Sequence, residues 1–185
     1  PTAMAIRSDG RIFVASRSNT TALRVVGIQM VSRDHDYYGQ IGERGTGDGQ
    51  MIWPTALALD GDDNLYLADE SLNRISRFDP DGNFVASWGT TGRGPGEIDG
   101  PSGLLFDRDD NLLVVDHKNN RVQRFTKDGV SLSTFGSQGD GDGEFNLPWG
   151  VAQDGDGNLY VADWRNDRIQ KFTSDGRFLA KYGES

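Results

Sequence analysis

Pro54, Pro101 and Pro148 stand 47 residues apart, and the same interval separates Asp69, Asp116 and Asp163, then Arg74, Arg121 and Arg168, then Phe78, Phe125 and Phe172. A register held at every landmark marks a repeat protein, in which one supersecondary unit is copied and neighbouring copies bury each other's apolar faces. Three copies are regular. A fourth, divergent one opens the chain as PTAMAIRSDGRIFVAS and rejoins the pattern at DYYGQIG, with six extra residues somewhere after Ser16. It has Ser16 where the others have Asp, and no clear match to their Arg step. The repeats divide the chain into copies of approximately 1–42, 43–89, 90–136 and 137–185, read as one continuous segment.

Each regular copy holds four short apolar runs. In the copy from Pro54 they are Ala56 to Leu59, Leu65 to Ala68, Ile75 to Phe78 and Phe84 to Trp88, separated by DGDDN, ESLN and DPDG. Asn, Asp, Gly and Pro supply the backbone conformations of tight turns, and no run has a helical period, so four antiparallel strands per copy are predicted. Runs such as Leu65 to Ala68 and Leu112 to Val115 are apolar on both pleat faces, so both faces need a cover. Radial stacking of four-stranded sheets provides it. The predicted fold is an all-β propeller with four blades present, its open ends completed by further blades or a second chain.

The joins GERGTGDGQMIWP, GTTGRGPGEIDGP and GSQGDGDGEFNLP share four Gly positions, then Gln or Glu, an apolar residue and Pro. Met51, Ile98 and Phe145 are expected to anchor these crossings. Together, G-x-x-G-x-G-x-G-[EQ]-apolar-x-x-P, D-x-[DG]-x-N before the second strand, and N-x-R-[IV]-x-[RK]-F resemble the NHL repeat over nearly the whole chain. The resemblance implies a propeller, usually six-bladed, which at this repeat length needs on the order of 280 residues. It also implies a noncatalytic interaction or sensing module. The alternative is a metal-assisted lyase or hydrolase with an axial site, as in related propellers.

The chain of 185 residues carries a net charge of −9, which repels phosphate backbones and argues against nucleic acid. No apolar run approaches the length of a membrane span, and membrane insertion is not expected. With no Cys, disulfides and thiolate metal sites are excluded. The compartment is left open, leaning to an extracellular or periplasmic one. A start at Pro1 inside a repeat suggests an excerpt of a longer protein.

Asp69 with Arg74, Asp116 with Arg121, and Asp163 with Arg168 recur in every regular copy and are read as structural ion pairs. The Asp-rich turns at 60–64, 107–111 and 154–158 are hairpin chemistry, leaving room only for weak surface calcium; no other cofactor is expected. His35 and His117 are read as solvated loop residues, too few for a His-based zinc site. No Ser/His/Asp set has supporting context, and no catalytic residue is assigned. Function tends to break a repeat, so candidate ligand-binding residues are those that vary on the face of the inter-blade joins: Arg17, Trp53, His117, Trp149 and Trp164. Aromatic and Arg side chains there suit a protein or peptide, or a carbohydrate; wedging between blades is the competing role for Trp53 and Trp149.

Overall fold

The computed structural model describes residues 1–17, 26–34 and 36–183. Its strands form four antiparallel sheets of four, each ordered as in the sequence. They are β1 to β4 (Ala3–Ile6, Ile12–Arg17, Val26–Val31, Tyr37–Ile41), β5 to β8 (Pro54–Leu59, Leu65–Asp69, Arg74–Phe78, Phe84–Trp88), β9 to β12 (Pro101–Phe106, Leu112–Asp116, Arg121–Phe125, Ser131–Phe135) and β13 to β16 (Pro148–Gln153, Leu159–Asp163, Arg168–Phe172, Phe178–Tyr182). The only helices among the described residues are single 3-10 turns at His117–Asn119 and Trp164–Asn166. His35 lies outside the described residues. The register Ser16↔Gly27 in the first sheet matches Asp69↔Arg74 in the second, so the six extra residues fall between β2 and β3.

The chain divides into two compact units, Pro1–Trp88 and Gly89–Ser185, each holding two blades. In the first unit, Ala15, Ile28 and Ile41 of one blade pack with Met51, Leu57, Leu67 and Phe78 of the next. In the second, Val115 and Val122 pack with Phe145, Leu159, Val161 and Phe172, and the Phe145 and Phe172 rings lie 5.5 Å apart. Each fully buried Phe contributes roughly 1.5–3 kcal/mol. Met51 and Phe145 thus sit where an anchor of the crossing chain belongs. Within each unit the first strands of the two blades, β1 with β5 and β9 with β13, lie side by side.

The recurring polar residues build the blades. Asp163 accepts from Arg168 Nε (2.8 Å), Asn166 Nδ2 (2.9 Å), Gln170 Nε2 (3.2 Å) and the Asn146 amide (2.7 Å). Arg168 in turn donates to the carbonyls of Asp140, Gly141 and Glu144, which staples the Gly-rich join to the third strand. Asp116, Arg121, Asn119 and Gln123 repeat this network one blade earlier.

In the second blade the expected Asp69–Arg74 ion pair does not form. Arg74 still reaches the carbonyls of Thr46, Gly47 and Gln50, but its Nε has no hydrogen-bond partner. Asp69 instead accepts from the amides of Ile52, Trp53, Ser71 and Leu72. Leu72 and Ser76 occupy the places of Asn119 and Gln123, so the side chains that orient the carboxylate toward Arg are missing.

The join glycines have a steric reason as well. Glu144 Oε2 accepts from the Gly141 amide at 2.9 Å, and its carboxylate lies so close to Gly139 that a Cβ there would stand 2.0 Å from it. The first Gly of the join, Gly136, has φ +92° and packs on the Phe145 ring. Side chain and backbone share one volume here, and only hydrogen in place of Cβ allows it.

Candidate binding site

Asp116 and Asp163 each close a second strand and lead into a 3-10 turn that ends in a left-handed residue, Asn120 or Asp167. The turn swings its first side chain out of the sheet register. In the third blade that residue is His117, and in the fourth it is Trp164. At the start of β13, Pro148 resets the chain and Trp149 follows it.

These three irregular residues converge within the second unit. The His117 ring meets Trp149 edge-on at 5.1 Å and lies nearly parallel to Trp164 at 6.3 Å; Trp149 and Trp164 are 6.3 Å apart at 66°. His117 is only 6% exposed, which corrects its reading as a solvated loop residue. Its Nδ1 lies 2.9 Å from the Pro148 carbonyl; a carbonyl only accepts, so Nδ1 carries the proton. The tryptophans remain open, Trp149 at 46% and Trp164 at 52%. Their rings touch one another, so the cluster presents outer faces and leaves no cage between the rings.

Two further bonds set the position of Trp149. Ser102 Oγ donates to the Trp149 carbonyl at 2.8 Å, and Asn120 Oδ1 accepts from the Leu147 amide at 2.7 Å. Leu147 has φ +54°, a conformation costly for a branched side chain and of order 1–3 kcal/mol. The backbone two residues before Trp149 is therefore held in a strained shape by its neighbours.

Arg165, which sequence reasoning did not single out, places its guanidinium 4.7 Å from the Trp164 ring centroid. A pocket of about 730 Å³ opens beneath the rim, lined by Trp149, Trp164, Asp167, Arg168, Ile169 and Tyr182 among others. The other two candidates pair in the first unit, where the Arg17 guanidinium lies 3.6 Å from the Trp53 ring centroid. Such a cation–π contact contributes roughly 0.5–1 kcal/mol at an exposed site.

The Asp-rich hairpins are occupied by their own backbone. Asp154 Oδ1 accepts from the amides of Asp156 and Asn158, and its other oxygen accepts from Asn158 Nδ2 and Tyr160 Oη. The Asn158 hydrogen bonds hold the Asp154 carboxyl well below its ordinary range. Among the described residues no group of three or more His, Asp or Glu side chains is placed to hold a metal ion.

Four-stranded antiparallel blades stapled through Gly-rich joins define the chain as an all-β protein of the β-propeller class. Residues 145–172 match the NHL repeat. Over 45 residues the chain is 42% identical to protein lin-41 of Caenorhabditis elegans, a match covering 24% of this chain and 4% of that protein. Among solved structures it is similar to virginiamycin B lyase from Staphylococcus aureus, with TM-score 0.75 and 15% identity over 100% of this chain and 55% of the lyase. It is also similar to a putative gluconolactonase, with TM-score 0.71 and 17% identity over 98% of this chain and 62% of that one. At these identities the likeness is one of fold. The chain spans about half the length of the lyase and a small part of lin-41.

Proposed function

We propose that the chain is a noncatalytic interaction module whose recognition surface is the rim formed by Trp149, Trp164 and Arg165 over His117. One observation carries the reading: three residues that break the repeat, His117, Trp149 and Trp164, come together, while the Asp and Arg that keep it in the same blades are spent on construction. Two half-exposed tryptophans beside a guanidinium present large apolar area at low entropic cost, as protein and peptide recognition surfaces do. The occupant that fits is a peptide or protein loop offering an apolar or aromatic anchor to the outer ring faces. The likeness to a lyase is one of fold and brings no catalytic residue with it.

A phage-displayed random peptide library panned on the wild-type chain and on Trp149→Ala/Trp164→Ala tests the proposal. Peptides with an apolar anchor are expected to enrich on the wild type and to bind the variant at least tenfold more weakly. Equal enrichment on both would sink the site, and a response confined to a glycan array would replace the peptide with a carbohydrate.

A further inference from the structure

Successive strand residues point to opposite pleat faces, so burial along a second strand reports which faces of its blade are covered. In the second and third blades, β6 and β10 are buried at all five positions. In β2 and β14 burial alternates. Phe13 and Ala15 are buried while Ile12 and Val14 are half-open; Leu159 and Val161 are buried while Tyr160 is half-open and Ala162 exposed. Among the described residues, the first blade and the fourth therefore each have one apolar face without a cover, on the side turned away from the neighbouring blade of their own unit.

The repeat register says what belongs on each face. Ala162, Ile169 and Tyr182 stand where the third blade has Val115, Val122 and Phe135, and those residues pack under Phe145, Leu159 and Phe172. Ile169 and Tyr182 are exposed instead. On the first blade Met4, Val14 and Tyr37 stand where the second has Leu57, Leu67 and Phe84, which pack onto Ala15, Ile28 and Ile41. Met4 and Tyr37 are likewise exposed. One face is a receiving surface and the other is the kind of surface it receives, and both are carried by this chain.

We propose that these faces bind each other: the open face of the fourth blade receives the first blade of a second copy, in a head-to-tail contact. The occupant is a second copy because this chain itself carries the matching face and continues an interface already built twice within it. Two residues at the ends of the second strands, one in each unit, agree. Arg17 lies on Trp53 and His117 on the Pro148 carbonyl, each reaching the start of the next blade's first strand. Trp164 holds that place in the fourth blade, and docking lays Pro1 and Thr2 of the second copy beside it. Docking covers the pocket floor at Ile169 and Tyr182 and leaves Trp149 and Arg165 at the rim. The burial pattern carries this inference, independently of the peptide reading.

Sedimentation velocity on the 185-residue chain from micromolar to millimolar concentration tests it. The weight-average mass is expected to rise above the 20.3 kDa of one copy, more steeply in added salt because two chains of net charge −9 repel. Ile169→Glu/Tyr182→Glu and Met4→Glu/Tyr37→Glu are each expected to stay monomeric, with circular dichroism confirming the fold. Mixed together they are expected to associate one to one, since each keeps the face the other lacks. A wild-type mass fixed at one copy throughout overturns the proposal, and this reading needs no variant to fold. Association abolished by only one of the two variants, or a mixture of folded variants that does not associate, overturns it as well.

Discussion

Arg168 donates to Asp163 at 2.8 Å with both side chains closed to water, and the same two positions in the second blade, Arg74 and Asp69, share no such bond. Truncating one partner of a buried pair leaves the other charge uncompensated, a loss of about 3–5 kcal/mol. Asp163→Ala is therefore expected to cost that much in urea unfolding. Arg74→Met, which loses three carbonyl hydrogen bonds but no ion pair, is expected to cost less than Arg168→Met, which loses the equivalent bonds and the ion pair as well.

Leu72 and Ser76 explain the difference. Leu72→Asn/Ser76→Gln rebuilds the side chains that orient the carboxylate in the third and fourth blades. The double change is expected to raise stability by about 1–2 kcal/mol, at roughly 1 kcal/mol for each hydrogen bond gained. An unchanged or lower unfolding midpoint would show that Asp69 does not turn toward Arg74.

Gly139 and Glu144 share one volume, so their substitutions should not add. Gly139→Ala is expected to displace the Glu144 carboxylate and cost about 1–3 kcal/mol, the penalty of an unmade polar contact. In a Glu144→Ala background the same change is expected to cost little. A double-mutant cycle reads the coupling directly.

Acid weakens the hairpins. Hydrogen bonds from Asn158 lower the Asp154 carboxyl and those from Asn83 lower Asp79; the bond from Arg7 lowers Asp9, and that from Thr173 lowers Asp175. Each folded value lies below the ordinary 3.8, so the stability they contribute is full above that pH and is lost as pH falls through the lowered values. Unfolding midpoints from pH 7 downward are expected to hold until about 4 and then drop. Asp154→Asn, which keeps the acceptor but loses the charge, is expected to flatten the drop.

At the alkaline end, burial pushes the Tyr66 phenol up to about 12, and its hydroxyl donates to Asp60 at 3.1 Å. A raised folded value gives stability that is full below the ordinary 10.0 and is lost as pH rises toward 12. Tyr66→Phe is expected to remove the highest step from a spectrophotometric titration. It is also expected to cost about 1 kcal/mol at neutral pH through the lost hydrogen bond.

The blade plan was legible because turns, strand lengths and landmark spacing are local, and every copy repeats them. Asp163 with Arg168 was legible for the same reason, five residues apart across one short turn. The Asn and Gln that complete that network were visible as Asn119 with Asn166 and Gln123 with Gln170, yet their replacement by Leu72 and Ser76 went unread, and so the Asp69 pair was overestimated. His117 was misread because its cover is non-local: the Pro148 carbonyl and the Trp149 ring come from the following blade. Arg165 was passed over because Lys118 holds the same place one blade earlier, so it did not stand out as irregular; its contact with Trp164 depends on the 3-10 turn that carries both.

The central claim is that regular residues build the blades and irregular ones recognise a partner. It is tested most directly by measuring thermal unfolding and affinity together for Trp164→Ala, using a peptide selected on the wild-type chain. The expected result is at least tenfold weaker binding with the unfolding midpoint moved by no more than about 2 °C, as for a surface change. Unchanged affinity, or a large loss of stability, would contradict the claim.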